Sequence, residues 1–277
     1  MISGKTTLIA HIGYPTHSFK APMIYNPYFE KEGIDAVVVP MGVKTDDFQS
    51  SFEAIFSFSN IRGALITMPH KVSVVSMLDE ATPTVQVAGS CNAVLLRDDG
   101  TLLGDMFDGE GFVRGVLRKG QKIVGSKVLV VGAGGVGSAI AASLAKAGAG
   151  SIGLYDLNAA VAAALGARLE KHYPKMKVRL GSNDPTGYDI VVNATPMGME
   201  PGDPMPMDVS RIAPTTFVGE VVMKQEMSGF LQAAKARGCR YQVGTDMLFE
   251  QIPAYLEFFG FKTTTPEVLR EVARLKY

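Results

Sequence analysis

Residues 127–158, KVLVVGAGGVGSAIAASLAKAGAGSIGLYDLN, carry the pattern that decides the fold of the second half of the chain. An apolar run predicts a buried strand over 127–131, and a GxGxxG turn, an alanine-rich helix and a second strand follow it. A strand, a glycine turn and a helix in this order form a site where a dinucleotide pyrophosphate binds at the helix N-terminus. The alternative is a strand–helix turn that binds no ligand. The candidate cofactor-binding glycines are Gly132, Gly134, Gly135 and Gly137.

Asp156 ends the second of these strands, 24 residues after Gly132. A carboxylate at this place can accept hydrogen bonds from both ribose hydroxyls, and it repels a 2′-phosphate. The first basic residue beyond it is Arg168, so no cation follows within ten residues to bind that phosphate. The sequence therefore predicts NAD as the favoured cofactor, with NADP as the alternative. Asp156 has a simpler interpretation as a cap of the helix that follows.

Composition limits the classes of function open to the 277-residue chain. Its 27 Lys and Arg balance 27 Asp and Glu, which leaves no basic excess to bind a nucleic acid or an anionic membrane. Two cysteines form neither a disulfide framework nor a four-cysteine zinc site, and we expect no metal. The N-terminus lacks signal-peptide features, and no apolar run is long enough to span a bilayer. We therefore expect a cytoplasmic monomer or homodimer that binds a small molecule.

The first hundred residues alternate between β-branched runs and amphipathic stretches, which predicts a mostly parallel sheet. Strands are predicted at 6–13, 34–43 and 63–69, and in the second half at 177–181, 189–195, 217–222 and 239–244. The tail from Thr245 is helical and apolar, so it needs a surface to cover. The expected fold is α/β with two lobes: an N-terminal α/β domain and a Rossmann-type doubly wound parallel sheet.

Lys71, in TMPHK at 67–71, lies just after an apolar strand, at the end where ligands bind in open α/β sheets. A lysine there, paired with a carboxylate, can exchange a proton with a substrate hydroxyl. Asp108 is the candidate partner. The simpler interpretations are a solvated surface lysine and a turn aspartate. The four histidines are poorly placed as bases: His11 lies in a strand, His17 in a loop, His172 at a helix end and His70 beside Lys71.

Six motifs in order resemble those of the shikimate/quinate dehydrogenases, and the resemblance covers nearly the whole chain. They are GYP at 13–15 with Pro22 and Asn26 in register, LITMPHK at 65–71, SCNA at 90–93, MFDGEG at 106–111, NATPMGM at 193–199 and GTDMLFEQ at 244–251. The resemblance implies that residues 1–107 and 246–277 form a substrate-binding and catalytic domain. It implies that residues 108–245 form an NAD(P)-binding Rossmann domain.

The resemblance also implies an activity and residue roles. The activity is hydride transfer between a nicotinamide and the hydroxyl or ketone of a shikimate- or quinate-like cyclic hydroxy acid. Lys71 and Asp108 are implied to be the catalytic pair. Thr67, Asn92 and Gln251 are implied to bind substrate. Residues implied to lie beside the cofactor are Asn193, Thr195, Met197, Gly244 and Met247.

The chain departs from the family pattern where the family binds the substrate carboxylate. In an ungapped alignment over 13–26, the family's two carboxylate-binding serines fall on Phe19 and Ala21. A one-residue shift would place Ser18 and Lys20 there instead, but only with a gap before Pro22. Other polar side chains of the family are replaced by Leu65, Met106, Phe107 and Met223. We therefore expect a more apolar pocket and weak turnover of shikimate itself. Lys20 or Tyr14 is a candidate replacement anchor for a carboxylate.

A second interpretation is a dinucleotide-binding sensor or regulatory protein of the same fold with little turnover. The retained pair of Lys71 and Asp108 argues against it, because a protein that only binds needs no proton-transfer couple.

Overall fold

The computed structural model describes residues 2–198, 202–223 and 227–275, and their contacts divide the chain into two compact units. The first unit comprises Met1–Val85, Gly89–Phe107 and Ile252–Tyr277, and the second comprises Gln86–Ala88 and Asp108–Gln251. Within the described ranges, no helix has both the length and the apolar character needed to cross a membrane.

A six-stranded sheet forms the centre of the first unit. Its strands are β1 (Thr7–Gly13), β2 (Ala36–Gly42), β3 (Ile61–Ile66), β4 (Glu80–Ala81), β5 (Ala93–Leu96) and β6 (Leu102–Asp105). They lie in the order β2-β1-β3-β5-β6-β4. β1 runs parallel to β2 and β3, whereas β5 is antiparallel to both β3 and β6. The sheet is therefore mixed. The three predicted strands, β1 to β3, pair in parallel, and β5 and β6 add an antiparallel hairpin that was not predicted.

Five helices contribute to the first unit. They are α1 (Pro22–Glu32), α2 (Phe48–Phe56), α3 (Pro83–Ala88), α8 (Gly244–Phe259) and α9 (Pro266–Val272), of which α3 and α8 each continue into the second unit. The aromatic pattern of α2 is a core-facing stripe, since Phe48, Phe52 and Ile55 are buried. Phe58, beyond the end of α2, remains about half exposed. These rings therefore pack a core, as expected for an amphipathic helix on a sheet.

The second unit is a doubly wound parallel sheet. Its strands are β7 (Lys127–Val131), β8 (Ser151–Tyr155), β9 (Lys177–Leu180), β10 (Ile190–Asn193), β11 (Phe217–Glu220) and β12 (Tyr241–Gln242). All pairs are parallel, and the order is β9-β8-β7-β10-β11-β12. This is the Rossmann order, in which the direction of winding reverses between β7 and β10 and a crevice opens beyond their carboxyl ends.

Helices cover this sheet and position its carboxyl edge. They are α4 (Asp108–Arg118), α5 (Gly135–Lys146), α6 (Ala159–His172), α7 (Gly229–Ala236) and the first part of α8. The predicted Rossmann-type fold is confirmed, since the first strand begins and ends at the residues that its apolar run indicated. The largest core cluster of this unit joins Phe112 of α4, Ile140 of α5 and Leu165 of α6 to the buried face of the sheet.

Candidate active site

The glycine turn between β7 and α5 has the shape that a phosphate-binding turn requires. Gly132 has a φ of +101°, which an L side chain rarely adopts. A Cβ on Gly137 would collide with the Gly132 carbonyl oxygen, so only glycine lets α5 start this close to the strand. Gly134 and Gly135 are exposed, and nothing lies within 4 Å of where their Cβ atoms would be. The open side of the turn, at a helix N-terminus, fits a dinucleotide pyrophosphate.

Asp156 supports this turn and does not cap the next helix. Its Oδ2 accepts a hydrogen bond from Ala133 N at 2.7 Å, and its Oδ1 accepts one from Asn158 N at 2.9 Å. The N-cap of α6 is Asn158, whose side chain accepts from Ala160 N. The capping interpretation of Asp156 is therefore wrong, because the carboxylate is turned toward the glycine turn.

The first cation after Asp156 in the chain is engaged elsewhere. Arg168 Nε donates to the carbonyl oxygen of Val87 at 2.6 Å, and burial lowers the pKa of the guanidinium. This side chain is anchored to backbone, and residues 157–167, which lie between Asp156 and Arg168, contain no Lys or Arg.

The turn after β10 holds its own shape through Asn193, which is fully buried. Asn193 Nδ2 donates to Met197 O at 2.9 Å, and its Oδ1 accepts from Thr195 Oγ1 at 2.6 Å. Thr195 Oγ1 in turn accepts from Met197 N at 3.1 Å. A Cβ on Gly132 would lie 2.6 Å from Ala194 O, so this turn adjoins the glycine turn. Asn193 therefore positions Thr195 and Met197 beside the predicted cofactor site.

The last residue of that sequence motif, Met199, lies outside the described residues.

The start of α8 carries three more of the predicted residues. Gly244 is so close to the Val222 carbonyl oxygen that a Cβ would collide with it, and Met247 is almost fully buried. Gln251 is buried, and its Oε1 has no hydrogen-bond partner among the described residues. A Cβ on Gly111 of α4 would lie 2.7 Å from Gln251 Cβ, so this face of α8 packs on the helix that Asp108 begins. Asp108 itself is buried.

The carboxyl ends of β1 and β3 gather the predicted polar residues of the first unit. Thr67 N donates to Ile12 O at 2.9 Å, which ties the segment after β3 to β1. Cys91 N donates to Lys71 O at 2.8 Å, and Asn92 Oδ1 accepts from Phe107 N at 2.8 Å. Thr67, Lys71 and Asn92 therefore lie at one edge of the sheet. Lys71 belongs to the first unit and Asp108 to the second.

The residues at the two serine positions of the family are apolar here. Phe19 is buried, and its ring stacks on that of His11 with centroids 4.0 Å apart. Ala21 occupies the N-cap of α1 and makes no side-chain capping bond. Tyr14 is half exposed, and its backbone N–H donates to Met68 O at 3.0 Å. Lys20, the other candidate anchor, is partly exposed.

The other replaced positions follow the same trend. Leu65, Met106 and Phe107 are buried, and the Phe107 ring lies 4.8 Å from that of Tyr255. Met223 is about one-third exposed. The positions at which the resemblance predicts a loss of polar groups are thus core residues, or partly exposed apolar surface in the case of Met223.

Two titratable side chains at these edges have shifted pKa values: His11, which is poorly placed as a base from the sequence alone, and Glu220, which is not among the predicted site residues. Burial, and then the charge of Lys71, lowers the pKa of His11 to about 4. Burial raises the pKa of Glu220 to about 7, although its Oε2 accepts a hydrogen bond from Ser228 Oγ at 2.6 Å. The signal available in the sequence was the same for both: one titratable residue within an apolar strand.

His70, the histidine next to Lys71, is part of the core. It is fully buried, its ring lies parallel to that of Phe48 at 4.0 Å, and its Nε2 is 2.7 Å from Val43 O. In the described part of the chain, no group of three or more His, Cys, Asp or Glu side chains is arranged to hold a metal ion.

Comparison with known proteins gives the family. Residues 11–94 match the model of the shikimate dehydrogenase substrate binding domain, and residues 113–160 match that of the ThiF family. Shikimate dehydrogenase (NADP(+)) of Rubrobacter xylanophilus is 32% identical over 254 residues, which are 90% of this chain and 89% of that protein.

Solved structures agree in fold over nearly the whole length. Shikimate 5-dehydrogenase from Listeria monocytogenes, in complex with shikimate and NAD, has a TM-score of 0.91 at 27% identity and covers 98% of this chain and 97% of its own. The ligand-free 5-ketofructose reductase of Gluconobacter sp. strain CHM43 has a TM-score of 0.89 at 27% identity, with 98% and 99% covered.

Proposed function

Because this chain belongs to the shikimate dehydrogenase family, an NAD(P)-dependent oxidoreductase family that acts on CH–OH groups, we propose its specific reaction. It transfers hydride between NAD and the hydroxyl or ketone of a shikimate- or quinate-like cyclic hydroxy acid. The observation that carries the proposal is which residues lie at the carboxyl ends of the strands in each of the two sheets. One has a glycine turn that is open at Gly134 and Gly135, and the other gathers Thr67, Lys71 and Asn92.

The carboxyl edge of the second unit fits a nicotinamide dinucleotide. The N-terminus of α5 would bind the pyrophosphate, Asp156 would bind the adenosine ribose, and the turn at Thr195 and Met197 would lie near the nicotinamide. The nicotinamide supplies the hydride acceptor. Relatives are named for NADP, so the preference for NAD is our proposal. It rests on the Asp156 carboxylate and on the engagement of Arg168 with backbone.

We assign proton transfer to Lys71 and Asp108, the pair that the family resemblance implies. When the hydroxyl is oxidised, its proton must leave as the hydride leaves the carbinol carbon. A lysine amine next to a carboxylate takes that proton in oxidation and returns it in reduction. Asp108 begins α4, where the helix N-terminus stabilises a carboxylate. The pair therefore performs the acid–base step without a metal.

Thr67, Asn92 and Gln251 are assigned to the substrate. Asn92 Oδ1 accepts from Phe107 N, and this bond fixes the orientation of the amide. Gln251 Oε1 is buried and lacks a partner among the described residues, so it is suited to accept a substrate hydroxyl. An unpaired buried oxygen of this kind favours a ligand that supplies the missing donor.

Steady-state kinetics with both cofactors test the proposal. The substrates are shikimate, quinate and, in the direction of reduction, 5-ketofructose. We expect reduction of NAD by at least one ring alcohol, with kcat/KM higher for NAD than for NADP. A sensor of the same fold would instead bind NAD with no turnover of any of the three. Efficient oxidation of shikimate with NADP would contradict both the cofactor assignment and the argument from the altered pocket.

A further inference from the structure

His11 is a buried polar side chain of the first unit to which the proposed reaction gives no role. It lies in β1 between fully buried neighbours, Ala10 and Ile12, and it is itself 8% exposed. Its Nδ1 is closed off from solvent and has no hydrogen-bond partner in the described part of the chain. Nε2 is not among the closed-off, unpartnered nitrogens. Of the two ring nitrogens, Nε2 is therefore the one that a ligand could reach.

The position of His11 is the substrate edge of the sheet. His11 and Gly13 share one face of β1, because side chains two residues apart in a strand point the same way. A Cβ on Gly13 would touch the methyl group of Thr67 and would lie 3.0 Å from Phe19 Cζ. His11 therefore points to the same side of β1 as the Gly13 position, which adjoins Thr67, and its ring stacks on the Phe19 ring that replaces a serine of the family.

His11 is uncharged at neutral pH. Its burial and the positive charge of Lys71, the charged group that acts on it, place its pKa at about 4, and its ring neighbour Phe19 carries no charge. A neutral imidazole has one donor nitrogen and one acceptor nitrogen. Since a buried N–H without an acceptor is rare, we place the proton on Nε2 and leave Nδ1 as the bare nitrogen.

This corner of the site is unsuited to a carboxylate. Phe19 offers an aromatic ring and His11 a single neutral N–H, and Ala21 brings no polar group to the second serine position. Lys71, whose charge acts on His11, is assigned to the reacting hydroxyl, so a carboxylate placed here would exchange its hydration for a single neutral N–H. An uncharged hydroxyl or carbonyl oxygen would need only the one hydrogen bond that His11 can donate.

We propose that His11 is a specificity-determining residue that donates a hydrogen bond from Nε2 to an uncharged oxygen of the substrate. The substrate is then a polyhydroxylated ring or ketose that presents a hydroxyl or carbonyl group to this corner, and any carboxylate it carries is bound elsewhere. This inference rests on the proposed function, since it concerns the substrate of the same site.

The kinetic test compares shikimate with its methyl ester, which differ in the charge of one group. We expect the ester to have the higher kcat/KM. His11→Leu should lower kcat/KM for the ester about five- to tenfold, mostly through KM, since one neutral hydrogen bond is lost. His11→Gln keeps a neutral donor and should recover part of the loss. His172→Leu, a histidine change in the second unit, is the control and should leave both constants unchanged.

Two kinetic outcomes overturn the inference. One is a kcat/KM for the acid that equals or exceeds that for the ester. The other is a His11→Leu enzyme with the kinetics of the parent. A KM for the ester that rises steeply between pH 6 and 8 only when His11 is present would also overturn it, because it would mark a charged imidazole.

Nitrogen NMR of the imidazole rings separates this inference from the proposed function. With His11 assigned by the Leu variant, we expect the Nε2–H tautomer at pH 7 and a change in its shift when methyl shikimate is added. An imidazolium at pH 7, or an unchanged signal in saturating ester, would overturn the role of His11 even if turnover is high. If no compound is oxidised, the reaction assignment fails, while the NMR titration still decides whether His11 contacts the ligand.

Discussion

Asp156→Asn tests how the chain chooses between the two nicotinamide cofactors. The carboxylate accepts two backbone N–H bonds, at 2.7 Å from Ala133 and 2.9 Å from Asn158. An amide has only one carbonyl oxygen, so the variant loses one of these charge-assisted bonds, worth about 1.5–3 kcal/mol. It also loses the repulsion toward a 2′-phosphate. Two unit charges about 4 Å apart near a protein surface interact by roughly 4 kcal/mol, and we discount this to about 2 kcal/mol because Asp156 is partly exposed and screened by salt.

The expected result is a change in cofactor ratio. A loss of about 2 kcal/mol of discrimination corresponds to roughly a 30-fold fall in the ratio of the NADP Kd to the NAD Kd. Isothermal titration calorimetry of both cofactors at about 0.1 M salt measures this ratio in the parent and the variant. Thermal unfolding is recorded in parallel, because the glycine turn loses a bond.

Asp98→Asn is the matched control. Asp98 is fully exposed in the first unit, and its substitution makes the same change in net charge. It should leave the ratio unchanged. The reasoning is refuted if the parent binds NADP as tightly as NAD, or if Asp156→Asn keeps the parent ratio while remaining folded.

Three further predictions concern proton transfer, pH and the substrate corner. Lys71→Ala should lower kcat by about 10²-fold or more while the NAD Kd from calorimetry stays the same, because the lysine moves a proton and is not assigned to the cofactor; equal losses in kcat and NAD affinity would contradict this. Glu220 has a raised folded pKa of about 7, so the folded state binds more protons there than the unfolded state. Its contribution to the free energy of unfolding is complete below the unfolded pKa of 4.5 and is lost as pH rises through 7; Glu220→Gln should flatten that part of a urea-unfolding profile, and an unchanged slope would refute it. The double variant Phe19→Ser with Ala21→Ser restores two hydroxyls and should raise kcat/KM for shikimate more than that for its methyl ester; a uniform loss on both would argue against the alignment.

Local patterns in the second unit were strong enough to predict its fold. The apolar run before the glycines has the bounds of β7, and a φ of +101° at Gly132 explains why glycine is required there. The direction of the Asp156 carboxylate was not predictable, because capping and turn support both follow from an Asp at a strand end. The helix is capped by Asn158, two residues later, and the Asp156 carboxylate is therefore free to support the glycine turn.

The first unit shows where sequence patterns are insufficient. β5 and β6 are four residues each, too short for a periodic signal, and they form a hairpin closed at Gly100, whose φ is +84°. The properties of His11 depend on long-range packing: Phe19 covers its ring, and the charge of Lys71 acts on it from another strand's end. Neither neighbour is adjacent in the chain, so the sequence indicated only a histidine in an apolar strand.

Isotope transfer tests the central claim, hydride transfer from a substrate alcohol to NAD, most directly. The enzyme is incubated with NAD and with shikimate, quinate or methyl shikimate carrying deuterium at the carbinol carbon, and the reduced cofactor is analysed by mass spectrometry. We predict deuterium in the reduced nicotinamide from at least one of these alcohols, with label transfer about 10²-fold slower in Lys71→Ala. Binding of NAD without transfer of label from any of them would contradict it.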